Sequence, residues 1–203
     1  MEHDSTELKI KEAARKLFQE KGFEGVRTRE IAEMAGINSA LLHYYFRSKE
    51  KLFRIIMNES IQEMFAFLQQ IINEPSTSLS HKIDEIVNGY LNVVLATPNL
   101  VLFVLNELYA NPKLLIKESK IPSKFLSDSY FSRQIMEQLE AQSIAISPLH
   151  IVMNMISLTV MPVIAAPLAK HLYNIEDDNF RQLIEQRRTL IPLWIKEMLQ
   201  IEE

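Results

Sequence analysis

The chain has 203 residues, a formal net charge of −4, 47% hydrophobic and 24% charged residues. That fits a globular protein able to bury a full core and is too apolar for a disordered chain. The absence of cysteine excludes disulfides, thiolate metal centres and cysteine nucleophiles, and with only four glycines neither G-x-G-x-x-G nor G-x-x-x-x-G-K occurs, which argues against a phosphate loop.

Charge is spread unevenly. Residues 1–54 hold 11 Lys/Arg against 9 Asp/Glu, a net of +2, and the remainder carries −6. A mildly basic N-terminal part followed by an acidic one suggests a division of labour, although random scatter gives a difference of this size as well. Few glycines and scattered prolines argue against a turn-rich β fold, so the expected class is all-α, with about nine helices. The polar, acidic start Met1-Glu2-His3-Asp4 is unlike a signal peptide. The apolar stretch 151–169 is broken by Asn154, Ser157, Thr159, Pro162 and Pro167, so it reads as a buried helix rather than a spanning one. The expected location is the cytoplasm.

The first helix should start near Ser5 or Thr6. Ile10, Ala13, Ala14, Leu17 and Phe18 form one apolar stripe, and Lys21-Gly22 is a C-terminal stop. A second helix is expected over 29–35 with Thr28 as its N-cap. Gly36 ends it by supplying a positive φ, and Ile37 plugs the angle after the turn. Asn38 or Ser39 should cap a third helix to Tyr45, with Leu42 and Phe46 facing the core. A short helix, a glycine turn and a second short capped helix make a helix-turn-helix layout. Ser48 caps a long fourth helix over 49–73. Glu74-Pro75-Ser76-Thr77-Ser78 is then the first real loop and the best boundary by composition. Further helices are expected over 79–96, from Thr97-Pro98 to Ala110, over about 123–142 and from Ser147-Pro148 onward. Pro162 and Pro167 should kink or end that last one, and Asn111-Pro112 should act as a break. Asp177 or Asp178 should cap the final helix, which runs to about Leu199 and is bent at Pro192.

From Thr28 to Phe53 the chain reads TREIAEMAGINSALLHYYFRSKEKLF. The glycine turn, the aromatic cluster ending in Phe46, and Ser48-Lys49-Glu50 followed by an apolar residue resemble the DNA-binding signature of TetR-type transcriptional regulators. The match covers about a quarter of the chain, roughly 10–53. The resemblance implies a helix-turn-helix head, residues 1–48, and a helical effector-binding and dimerisation body, residues 49–203. It implies a homodimer that reads a palindromic operator on double-stranded DNA and, as a repressor, is released by a small molecule. It places the third helix in the major groove, where base edges present a unique donor and acceptor pattern. Ser39, Ala40, Leu41, His43 and Tyr44 are then expected near bases or the adjacent backbone, and Thr28, Tyr45 and Lys49 on phosphates. A Gly-Thr pair is usual in the family where this chain has Ala40-Leu41, and a tyrosine where it has His43, so no operator sequence carries over. Leu41 cannot donate a hydrogen bond but can meet a thymine methyl.

Bland readings stand beside these. His43 and Tyr44 are also candidates for core aromatics, although Leu42 and Phe46 already fill the inward stripe and at least one of the pair must face out. Lys49 opposes the macrodipole at a helix start, a local conflict of the kind functional sites tolerate.

For the body, Phe103, Asn106, Tyr109, Met153 and Asn154 are the effector-binding candidates. Apolar runs with a few amides suit a pocket, and amides within such runs need partners. The same spacing also suits plain core. Phe125, Tyr130, Phe131, Met155 and Met161 belong to the same apolar helices. The expected effector is mostly apolar, aromatic or lipid-like. No cluster of Asp, Glu and His suggests a metal-bound ligand, and no metal site or cofactor is expected. Phe180, Leu183, Ile184, Arg187, Leu190, Ile191 and Trp194 form a helical stripe assigned to the dimer interface. Packing within one subunit is the alternative. The five histidines are dispersed and no nucleophile–base pair is visible, so an enzyme is not expected. A helix-turn-helix adaptor that acts through protein partners without DNA is the competing function.

Overall fold

The computed structural model describes residues 2–202, with side chains from Ser5 to Glu202. The described chain is helical throughout: α1 Glu2–Gly25, α2 Thr28–Met34, α3 Ser39–Phe46, α4 Lys49–Asn73, α5 Leu79–Ala96, α6 Pro98–Ala110, α7 Pro112–Ser119, α8 Tyr130–Ala141, α9 Pro148–Ile164, α10 Ala166–Tyr173 and α11 Asp177–Met198. Eleven helices replace the expected nine because two prolines open helices where they were read as breaks. Pro112 and Pro167 each stand in a first helical turn, where a fixed φ is favourable and the missing N–H is not needed. Pro162 lies inside α9, which continues to Ile164. The helix expected over 123–142 is shorter, since the segment before it turns and Ser129 caps α8 by accepting from Ser132 N at 3.1 Å. Among the described residues no single helix is long and apolar enough to cross a membrane.

Other caps divide into those placed as expected and those that moved. Asn38 Oδ1 accepts from Leu41 N at 2.8 Å, Ser48 Oγ from Lys51 N at 3.1 Å, and Ser147 Oγ from Leu149 N at 3.3 Å. Thr28 is not a cap. It is the first residue of α2, Arg27 holds the capping position, and Glu30 reaches back to accept from Arg27 N at 2.9 Å. Thr97 precedes α6 without capping it and instead accepts from Gln19 Nε2 at 3.4 Å. At α11 the capping position falls on Glu176, and Asp177 and Asp178 occupy the first turn, where negative charge suits the macrodipole.

The chain divides into two compact units. One comprises residues through Glu63 together with Thr97–Lys120, and the other Met64–Ala96 together with the chain from Ile121. In the first, α1 packs on α2 and α6, α2 on α3, and α6 on α7. Ile10, Ala14, Leu17, Phe18, Ile31, Leu42, Phe46 and Leu52 are buried, which matches the stripes read from the sequence. Phe53 sits edge-on to Phe18 at 5.0 Å and to Phe103 at 5.8 Å, and tilted against Phe23 at 4.9 Å. In the second unit α11 packs on α5 and α9, with α8 against both α5 and α9. Its core is Ile83, Val87, Leu91, Phe131, Ile135, Ile151, Met155, Ile184, Ile191 and Ile195.

Candidate nucleic-acid interface and ligand pocket

The turn between α2 and α3 is built as the sequence requires. Gly36 has φ +69°, with nothing near the position a Cβ would take, so its need is conformational rather than spatial. The turn closes through Ile37 N to Ala32 O at 3.0 Å. Gly22, at φ +70°, likewise interrupts α1 where the stop was expected.

Helix α3 then shows two faces. Leu42 and Phe46 are each 3% exposed and fix the helix on the core. Ser39, Ala40, His43 and Tyr44 are exposed, Leu41 is half-buried, and Tyr44 keeps 71% of its surface accessible. Tyr45 is half-buried, edge-on to Tyr44 at 5.7 Å and tilted against Phe46 at 6.2 Å. Thr28 is exposed at the start of α2. The helix thus presents a contiguous face that carries an aromatic, an imidazole and small residues, with no charged side chain among them. Basic side chains lie nearby in sequence. Arg27, Arg29 and Arg47 are exposed, and Arg47 ends α3 at φ +63°, a backbone region that non-glycine residues rarely adopt.

Lys49 is placed differently from a free phosphate clamp. Its Nζ donates to Phe23 O at 2.9 Å and Val26 O at 3.1 Å, and it stands 4.2 Å from the centroid of the Phe23 ring. The cation at the N-terminus of α4 therefore has a structural answer: it ties that end to the α1–α2 connector. Sequence spacing alone could not show this, because the partners lie 23 and 26 residues away.

The five effector candidates are divided between the two units. Phe103 is buried in the first unit's aromatic cluster, and Asn106 and Tyr109 are exposed on α6, Tyr109 at 95%. Phe103 and Asn106 border an open cleft with Phe23, Arg54 and Glu107. On α9, Met153 is exposed, while Asn154 is half-buried with Nδ2 3.5 Å from Met198 Sδ. The second unit instead holds a separate apolar pocket of about 110 Å³, walled by Phe65, Phe125, Phe131, Tyr90, Met155 and their aliphatic neighbours. Phe125, Phe131 and Met155 stood in the apolar runs already noted, but Phe65 and Tyr90 were missed. The available signal was Tyr90 itself, a polar-tipped aromatic inside the inward stripe Ile83, Ile86, Val87, Leu91, Val94.

The stripe on α11 splits. Ile184 and Ile191 are buried at 1% and 0% in the chain's own core and leave no surface for a partner. Leu183 is exposed, and Phe180, Leu190 and Trp194 are half-buried. Arg187 donates to Leu158 O at 3.3 Å and lies 5.5 Å from the Trp194 ring, and burial pushes its pKa down. Among the described residues no group of three or more potential metal ligands gathers.

Residues 10–56 match the sequence profile of bacterial regulatory proteins of the tetR family. The chain is 32% identical over 162 residues to the probable HTH-type transcriptional regulator YttP of Bacillus subtilis, covering 78% of this chain and 77% of that one. It is 26% identical over 137 residues to IcaR, a negative transcriptional regulator of the biofilm operon icaADBC in Staphylococcus aureus, with 68% and 66% covered. Among solved structures, the transcriptional regulator FadR from Bacillus subtilis, in complex with stearoyl-CoA, superposes with a TM-score of 0.57 at 15% identity over 91% of this chain and 96% of that one. With its helix-turn-helix in place and a relative matched over most of both lengths, the chain belongs to the TetR family and is a transcriptional regulator.

Proposed function

We propose that this regulator is a homodimeric repressor that works in the cytoplasm, grips an inverted-repeat operator with residues 1–48, and is released when a small, mostly apolar molecule enters the body formed by residues 49–203. The observation that carries the DNA reading is α3, with Leu42 and Phe46 locked in the core and Tyr44, His43, Ala40 and Ser39 turned to solvent. A helix anchored on one face and open on the other is what major-groove readout requires. Ser39, Ala40, Leu41, His43 and Tyr44 form the reading face, and Thr28 and Tyr45 hold phosphates. Lys49 acts mainly by setting the start of α4, with at most one N–H left for the backbone of the operator.

The effector reading is supported by the apolar pocket of the second unit. The dimer reading is supported by the surface that the α11 stripe keeps: Leu183 is exposed and Leu190 half-buried, while Phe180 and Trp194 also pack against the core. Repression is the sign carried by IcaR among the relatives.

Selection of bound fragments from sheared genomic DNA, followed by sequencing, tests the reading. The expected result is an enriched inverted repeat, with light scattering giving twice the 23.6 kDa subunit mass. A monomer at micromolar concentration would remove the dimer, and unenriched DNA from ligand-free protein would remove the operator.

A further inference from the structure

The pocket of the second unit has a chemistry specific enough to name its ligand class; this step rests on the proposal that the pocket is the effector site. Of the eleven side chains around it, Tyr90 alone carries an oxygen or nitrogen. None of the described residues hydrogen-bonds to that hydroxyl. Burial pushes its pKa up to about 12, so the O–H keeps its proton at neutral pH and is a standing donor. Tyr90 is half-buried, and its hydroxyl is the one polar group that the pocket lining offers a ligand. A ligand acceptor seated in the pocket would give this hydroxyl the partner that the chain does not.

Size and charge narrow the class. The cavity, at about 110 Å³, falls below the range of about 300–1,000 Å³ typical of drug-sized sites. It is closer to the void of about 150 Å³ that takes up a benzene ring. A long acyl chain does not fit such a space. Phe65 and Phe125 meet edge-on at 5.0 Å and form part of the wall, which suits the face of another ring. No charged side chain borders the pocket, so an ionised ligand would lie unpaired in apolar surroundings. We infer that the pocket takes a compact neutral molecule of single-ring size, and that the Tyr90 hydroxyl sets specificity by donating to its one polar acceptor.

Calorimetry on the full chain with four probes tests this: acetophenone (a neutral ring with a carbonyl), ethylbenzene (a similar shape without one), benzoate and palmitate. Wild type, Tyr90→Phe and the pocket-filling Val152→Phe are compared. Acetophenone should bind about 10-fold more weakly to Tyr90→Phe, the effect of one hydrogen bond, while ethylbenzene binds both alike. Benzoate and palmitate should bind neither. Ligand-free Tyr90→Phe should melt no lower than wild type, since it loses only an unpartnered group. Equal acetophenone affinity in both proteins, failure of both ring probes to bind, or a lower melting temperature for Tyr90→Phe would each overturn the inference. Palmitate binding that Val152→Phe abolishes would overturn the ligand class and leave the pocket as effector site. Probe binding that survives Val152→Phe would remove the pocket itself.

Discussion

The two units are held together by different forces. In the first, charged and polar side chains cross between helices. Lys11 and Arg15 of α1 meet Glu59 and Glu63 of α4, and Arg54 bridges Glu107 of α6 and Glu118 of α7 at 2.7 and 3.1 Å. Asn58 adds a bond to Glu118, and Lys49 ties down the connector. The second unit has fewer such ties, among them Arg188 to Asn88 and Lys196 to Asp84, around a broad aliphatic and aromatic core. The directional bonds of the first unit join α1, α4, α6 and α7, and α3 is held by the apolar burial of Leu42 and Phe46. Apolar burial is non-directional, and in the second unit it leaves a cavity of about 110 Å³, the space that the proposed effector would fill.

The largest expected effects come from cutting each core in turn. Phe46→Ala and Phe131→Ala should each cost about 3–5 kcal/mol. Trp194 is the chain's single tryptophan and lies in the second unit, so its fluorescence follows that unit alone. Phe46→Ala should abolish DNA binding and leave the Trp194 urea transition in place, whereas Phe131→Ala should shift that transition. If both substitutions moved it equally, the units would unfold as one and the contrast between them would be lost.

Lys49→Ala should cost the first unit about 1–2 kcal/mol by freeing two backbone carbonyls from a charged donor, read as a lower urea midpoint by circular dichroism. An unchanged midpoint would return Lys49 to the surface role that the family signature implied. Arg47→Gly should raise stability by about 1 kcal/mol by relieving the positive φ.

The smallest effect is a pH dependence. The Lys21 ammonium first, and then the Arg27 N–H, hold the Glu30 carboxyl below its ordinary 4.5. A carboxylate with a depressed folded pKa adds stability that is present above the unfolded value and lost as pH falls through the folded one. Glu30→Gln should therefore melt slightly lower than wild type at pH 7, with the gap closing below about pH 4. A gap that persists in acid would assign the effect to shape rather than charge.

Local chemistry was legible in the sequence, and long-range packing was not. Asn38, Ser48 and Ser147 cap as expected because an N-cap partner lies two or three residues away. The reading failed at Thr28, where Glu30 reaches back and fixes the cap one residue earlier. It failed at Pro112, because the same residue that stops one helix is well formed to start another. On α9, Met153 and Met155 differ by two positions, about 200° around the helix. Only Met155, four residues after the buried Ile151, faces inward, so helical phase alone would have separated them. Which inward residues border a void depends on how α5, α8 and α9 meet, and no single helix records that.

The most direct test of the central claim, that the open face of α3 reads DNA bases, is a fluorescence-anisotropy titration of wild type and Tyr44→Ala at one fixed salt concentration. Each protein is titrated against the selected operator and a scrambled duplex of the same length. Tyr44 is exposed, so folding should be unaffected. Tyr44→Ala should bind the operator about 5- to 150-fold more weakly, from a loss of about 1–3 kcal/mol, and both proteins should bind the scrambled duplex equally. An equal loss on the two duplexes, or no loss on either, would contradict it.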